Sequence, residues 1–344
     1  MIRNFHHIEN DIDISSKIGE NSPIVKQMTP IQKFKDGNKV QGFYLCIEKH
    51  LRHTRSGELY LDLLLRDCTG QITAKVWEKV EEYQPKFSSG DPVAASGIIE
   101  SFHDRLQLIV KRINKATIQS YARFGFDPAL VVPTSKKDPK KMWKKLMTIA
   151  KGIDNKYLRK LVGIVYRENK KELMTHPASI LSHYNYRSGL LENILNMATI
   201  GASISSLFEI NRDLLMTGIF LHDIGKLKEL SGDLETESTD EGNFLGHAVL
   251  SRDILLNVIK KIKDFPPSLK LQLEHMILAH RGRLEWRDSL KPNNPEALLL
   301  HYIHNMDKQM NLMKKYLEED AEDGNWTNRN NPLHIPLYKK QKKN

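Results

Sequence analysis

Residues 214–226 read LLMTGIFLHDIGK. A dense apolar run, the make-up of a buried helix, ends abruptly in His222 and Asp223, with Gly225 and Lys226 just beyond. A His-Asp pair at the end of a buried segment is unfavourable unless something binds it. Both side chains are metal ligands by type. Downstream, further histidines recur in apolar, helix-like contexts: His247 in FLGH, His275 and His280 in LEHMILAH, His301 and His304 in LLLHYIH. The chain has 14 histidines, and any one alone is more often a satisfied core or surface residue than a ligand. A His-Asp pair followed by three such segments is far more specific. Around this stretch, from Pro139 onward, apolar residues stand three and four apart, as in 142–153 and 157–166. No strand pattern returns, so residues 141–320 are expected to form an all-α domain.

Upstream the period changes. Over residues 30–120, short apolar runs are broken by turn signals, among them Arg55-Ser56-Gly57-Glu58 and Asp67-Cys68-Thr69-Gly70. Leu61, Leu63 and Leu65 alternate with Tyr60, Asp62, Leu64 and Arg66, the period of a half-buried strand. Further runs follow at 71–77, 92–100 and 106–113, with a turn at His103-Asp104-Arg105. Five short strands at this spacing suit a small closed barrel. The expected fold class is α+β multidomain: an N-terminal all-β barrel, then the all-α domain. Residues 1–29 read as an N-terminal extension, 121–140 as a basic linker, and 321–344 as a basic C-terminal tail.

The chain has 344 residues with 52 Lys+Arg and 42 Asp+Glu, a formal charge of +10. At 40% apolar it can bury real cores, which excludes a chain disordered throughout. No uncharged apolar stretch approaches the roughly 18–20 residues of a membrane helix, and MIRNFHHIENDID has no signal-peptide core. Two cysteines, Cys46 and Cys68, are too few for a disulfide framework or a cysteine-based zinc site. A soluble cytoplasmic protein with no membrane partner is expected. The charge is uneven: residues 101–150 hold eleven basic and three acidic side chains. Such a run is commonly a solvated helix start, and here, between two domains, Lys144 and Lys145 offer a phosphate-contact surface.

The strand order, with a long hairpin, then GD-x-V, then a D-x-L-Q-L hairpin, resembles an OB-fold of the nucleic-acid-binding kind. Such barrels stack bases on exposed aromatics beside a basic groove. Tyr44, Tyr60, Trp77, Phe102, Lys75 and Arg105 are the candidates, each aromatic weighed evenly against a place in the barrel core. Tyr60 and Trp77 lead, since Tyr60 is out of phase with the inward leucines.

The helical half resembles the HD-domain metal-dependent phosphohydrolases. From about residue 35 to 315 the chain resembles the YhaM-type 3′-5′ exoribonucleases, which join an OB-fold to an HD domain. The matching segments are LYLDLLLRDCTGQITAKVWE (59–78), RLQLIVKRI (105–113), HYNYRSGLLENIL (183–195), LHDIGKLKEL (221–230), EGNFLGH (241–247), ILAHRG (277–282) and LLLHYIHNMD (298–307). The resemblance implies a divalent metal, Mn²⁺ first, with Mg²⁺, Fe²⁺ or another transition ion as alternatives. It implies hydrolysis of a phosphodiester at the 3′ end of single-stranded RNA or DNA, and it leaves room for a homo-oligomer. His222 and Asp223 match the defining pair, with Asp223 bridging two metals. His247 and His280 match the histidines of the second metal position, Lys226 a phosphate-holding lysine, and His183 the first of an upstream histidine pair whose second member here is Tyr184.

Three positions depart from that pattern. Asn193 stands where the family has its first ligand His, His304 where it has the terminal ligand Asp, and Arg281 where a second His follows. The first metal position changes from His, His, Asp, Asp to Asn193, His222, Asp223, His304, a net exchange of one carboxylate for an amide. Attraction for a hard ion should weaken accordingly. Asp307, one turn beyond His304, is a substitute carboxylate in reach. Arg281 either repels a cation or neutralises a scissile phosphate.

Three functions compete. The first is an active metal-dependent 3′-5′ exonuclease with Asp223, Lys226 and Arg281 catalytic and His222, Asp223, His247, His280 and His304 on metal. The second is a strand-binding or regulatory protein with an impaired centre. The third is a nucleotide phosphohydrolase, against which the barrel argues, because a mononucleotide needs no strand guide.

Overall fold

The computed structural model describes residues 28–103, 105–231, 234, 236–281, 290–320 and 323–339. Residues 1–27 of the expected N-terminal extension, Asp104, residues 232, 233, 235 and 282–289, and residues 321, 322 and 340–344 of the basic tail lie outside them. The chain divides into two compact units at Val131/Val132.

The first unit is a closed five-stranded barrel. Its strands are β1 (Lys39–His53), β2 (Leu59–Arg66), β3 (Gln71–Val76), β4 (Pro92–Phe102) and β5 (Arg105–Lys115), closed in the order β1-β2-β3-β5-β4. Only β3 and β5 run parallel; the other pairs are antiparallel. The period-two reading of β2 holds: Leu61, Leu63 and Leu65 are buried and their neighbours are not. Asp67 folds the following turn, its Oδ1 accepting from the backbone of Thr69 at 2.7 Å and Gly70 at 2.9 Å. Two one-turn helices that periodicity does not reveal, α1 (Val80–Tyr83) and α2 (Ile118–Tyr121), flank the β4–β5 hairpin in sequence. Tyr44 is a correction to the base-stacking candidates: it is 1% exposed, in the barrel core beside Phe34.

The second unit is helical: α3 (Pro139–Lys151), α4 (Lys156–Glu168), α5 (Lys170–Leu173), α6 (Gly189–Ile204), α7 (Arg212–Leu221), α8 (Lys226–Glu229), α9 (Asp240–Ile259), α10 (Pro267–Ala279) and α11 (Pro295–Glu319). Polar N-caps set the starts. Asp138, Asn155, Asn211, Thr239 and Asn294 each accept from a backbone N–H of the first turn. Pro follows the cap in α3 and α11. The helical reading holds with one addition: two strands of two residues each, β6 (Leu230–Ser231) and β7 (Glu237–Ser238), pair between α8 and α9. Strands that short leave no period to read. Helix α7 is the axis of this core, buried from Leu214 to Leu221 and packed against α4, α6, α10 and α11. No helix among the described residues is long and apolar enough to cross a membrane.

Candidate functional site

Helix α7 ends at His222, and the tight turn into α8 carries Asp223; both are 0% exposed. Three other elements bring histidines to them: His247 from α9, His280 at the end of α10, and His304 from α11. The arrival of His247 depends on Gly246, whose φ of 71° breaks α9 one residue earlier and would strain any side chain there. Gly225 lets α9 approach: a Cβ on it would stand 2.2 Å from the carbonyl oxygen of His247 and 2.4 Å from the nitrogen of Ser251.

Asp223 is the hub. Its Oδ1 lies 3.3 Å from His247 Nε2 and 3.5 Å from His280 Nε2, and its Oδ2 lies 3.6 Å from His222 Nε2. The ring orientations have identifiable causes. Acceptors fix the proton of each of these rings on Nδ1: the Ile219 carbonyl at 2.9 Å from His222, the Ile277 carbonyl at 2.6 Å from His280, and Glu229 Oε1 at 2.9 Å from His247. Each Nε2 then presents a lone pair. His222 Nε2, His247 Nε2, His280 Nε2, His304 Nδ1 and both Asp223 oxygens are buried without a hydrogen-bond partner. Buried polar atoms are nearly always paired, so four ring nitrogens gathered on a carboxylate whose own two oxygens lack a hydrogen-bond partner make up a donor set fitted to a cation. The spacing agrees, since donors held about 2.1 Å from one ion at tetrahedral angles stand about 3.4 Å apart.

Two overlapping ligand groups result, Asp223 with His247 and His280, and Asp223 with His222 and His304. Burial favours the neutral imidazole at three of these histidines, pushing His222 down to about 4 and lowering His280 and His304 as well. Burial alone would raise the Asp223 carboxyl, but positive charge beside it, first the Lys226 ammonium at 3.7 Å, outweighs burial and holds it well below the usual range. Neutral rings around a carboxylate are the donor states a divalent ion needs.

The remaining site residues divide. Asn193 is fully buried and its Nδ2 donates to Asp307 Oδ2 at 2.8 Å, which leaves its Oδ1 without a partner. Asp307 belongs to neither ligand group, which corrects the reading of it as a substitute carboxylate: its other oxygen accepts from the Tyr184 hydroxyl at 3.0 Å, and burial pushes its carboxyl up to about 6. Lys226 is buried and its Nζ donates to the Ala178 carbonyl at 2.6 Å. Arg281 is exposed at the turn after α10. His183 has an orphan Nε2, its ring centre 6.2 Å from that of His304. His275 and His301 lie outside both ligand groups: the first accepts from the backbone of Asn293, the second bonds the His280 carbonyl. Sequence reasoning missed Glu229 and Ser251. Glu229 holds His247 by both its ring and its backbone N–H, and Ser251 Oγ donates to the His222 carbonyl while accepting from Gly225. No local pattern marks either residue, because each acts through a contact with a segment distant in sequence.

On the barrel, Tyr60 and Trp77 stack at 4.6 Å between ring centres, and Trp77 is 44% exposed. Lys75 Nζ sits 5.2 Å over the Tyr60 ring and pairs with Asp62 at 2.6 Å. Arg105 and Phe102 are exposed partners across the β4–β5 turn. Lys144 and Lys145 are exposed on α3, in the other unit.

A family model described as HD domain matches residues 190–312, and one described as OB-fold nucleic acid binding domain matches residues 47–116. The chain is 32% identical over 300 residues to the 3′-5′ exoribonuclease YhaM of Oceanobacillus iheyensis, covering 85% of this chain and 91% of that protein. Among solved structures, the second OB-fold domain of replication protein A from Methanococcus maripaludis is similar at 17% identity, covering 25% of this chain and 92% of that one, with a TM-score of 0.22. The PriB protein of Ralstonia solanacearum is similar at 16% identity, covering 23% and 98%, with a TM-score of 0.21.

Proposed function

The chain belongs to the YhaM family of 3′-5′ exoribonucleases, and on that footing we propose that it is a metal-dependent exoribonuclease that shortens single-stranded RNA from the 3′ end. The observation that carries this is the set of four unpartnered ring nitrogens gathered on Asp223, whose two oxygens are unpartnered as well. His247, His280 and Asp223 hold one ion, and His222 and His304 with the same Asp223 offer a second position. Such an ion supplies Lewis-acid polarisation of a phosphodiester and a water of lowered pKa. Four imidazoles to one carboxylate turn the preference from Mg²⁺ toward a first-row transition ion, Mn²⁺ or Fe²⁺.

The protein's own groups do the rest. Asp223 keeps its charge at neutral pH and so balances the cation. Glu229 fixes the tautomer and direction of His247. Lys226 anchors the turn through Ala178 and keeps two further N–H donors beside Asp223, suited to a phosphate oxygen. Arg281, exposed next to His280, is placed to meet anionic substrate. In the barrel, Tyr60 and Trp77 form a stacking platform with Lys75 beside it, while Arg105, at the β4–β5 turn, and Lys144 and Lys145, on the helical unit, add phosphate contacts.

A second reading rests on Asn193. With its Nδ2 donating to Asp307, it offers the His222, Asp223 and His304 position an amide oxygen, a weaker ligand for a transition ion than an imidazole, as a strand-binding protein with impaired hydrolysis would. Combining Asn193→His with His304→Asp decides between them. A large rise in Mn²⁺-dependent shortening of 3′ ends above a near-zero wild-type level selects the binder; a wild type already active selects the nuclease.

A further inference from the structure

The basic run on α3 borders a cleft of about 590 Å³ between α3 and α6, with Asp307 of α11 also in its lining. Lys141 and Lys145, one turn apart, share the face of α3 that lines it, and both are exposed. The other charges there are already engaged. Lys137 pairs with Glu192 at 3.0 Å, Asp138 caps α3, and both oxygens of Asp307 accept from Asn193 and Tyr184. Lys141 and Lys145 are the two lysines of the lining without an ion pair among the described residues, and they are the cations left for a ligand beside the hydrogen-bonded carboxylates of Asp138 and Asp307. Its walls carry Met142, Leu195 and Ile200, an apolar surface that a bare inorganic anion has no use for. The cleft is also close to the ligand cluster, because Asp307 lies one turn along α11 from His304 and bonds Asn193 directly.

We propose that this cleft is a nucleotide subsite of the helical unit, seating the part of the strand that adjoins the scissile phosphate. Phosphates lie on Lys141 and Lys145, and sugar or base lies against Met142, Leu195 and Ile200. The proposal rests on the exoribonuclease reading and specifies where that substrate runs outside the barrel.

The test measures binding of fluorescent single-stranded RNA to the full-length protein in excess chelator, so that turnover plays no part, across a series of salt concentrations. Lys141→Gln with Lys145→Gln is expected to reduce the slope of log affinity against log salt by about 1.4, about 0.7 for each phosphate contact on a single strand. Lys160→Glu, on the exposed face of α4, leaves the slope unchanged. Thr199→Trp fills the cleft without changing charge and is expected to weaken binding several-fold at an unaltered slope. An unchanged slope in the paired lysine variant overturns the proposal. So does full affinity in Thr199→Trp, which would make the lysines a plain charged surface. Thermal unfolding of each variant confirms that it is folded, and the conservative Gln pair and Thr199→Trp fail independently. If the slope falls as expected but the wild type with Mn²⁺ releases no nucleotides, the exonuclease reading fails and the subsite stands as strand binding.

Discussion

At the scale of single residues, the site is a problem of orienting imidazoles. His247 is useful as a ligand only because Glu229 takes its Nδ1 proton, so Glu229→Gln removes the charge that makes Nε2 a better donor. The expected result is a 10–100-fold loss of metal affinity in a folded protein, measured by competition with a chelating indicator; unchanged affinity would show that Glu229 does not serve the centre. The defining pair His222-Asp223 was legible from sequence because two polar groups at the end of an apolar run are a local anomaly. Glu229 and Ser251 were not legible, since their importance lies in contacts made across 18 and 29 residues of chain. Asn193 and His304 were legible as departures from a pattern. The commitment of Asn193 to Asp307, 114 residues away, was not.

At the scale of elements, two features position the chemistry. The first is the close crossing of the α7–α8 turn with α9. Gly225→Ala would drive a methyl into the backbone of His247 and Ser251 and is expected to destabilise the helical unit by about 1–3 kcal/mol, as overpacking does. A thermal midpoint equal to that of the wild type would contradict the crossing. The second is the outer face of β2 and β3. Trp77→Ala should weaken single-strand binding by about 1–3 kcal/mol, the usual worth of one stacked base, while leaving the barrel folded; fluorescence anisotropy reads it directly, and an unaltered affinity places the strand on another face. The alternation of Leu61, Leu63 and Leu65 exposed this strand to sequence reading. Tyr44 escaped, because β1 is buried on both faces from Gly42 to Cys46, so no alternation there separates the core face from the outer one.

At the scale of the whole molecule, the chain pairs a barrel with its own apolar core and a helical unit whose core is interrupted by buried, uncompensated donors. Metal should therefore stabilise one unit and not the other. Stripping metal with a chelator is expected to lower the unfolding temperature of the helical unit and leave that of the barrel in place, because an ion bound only by the native state adds its binding free energy to stability. Calorimetry with and without Mn²⁺ checks this; an unmoved helical transition would speak against any ion at Asp223. The central claim is that Asp223 and its histidines hold a metal that cuts RNA from the 3′ end. Its most direct test is metal analysis of the purified protein alongside a time course on 5′-labelled single-stranded RNA with Mn²⁺, for the wild type and Asp223→Asn. The account predicts bound transition metal and a ladder of products shortened stepwise from the 3′ end in the wild type, with both lost in the variant. Strand binding without bound metal and without any shortening would contradict it.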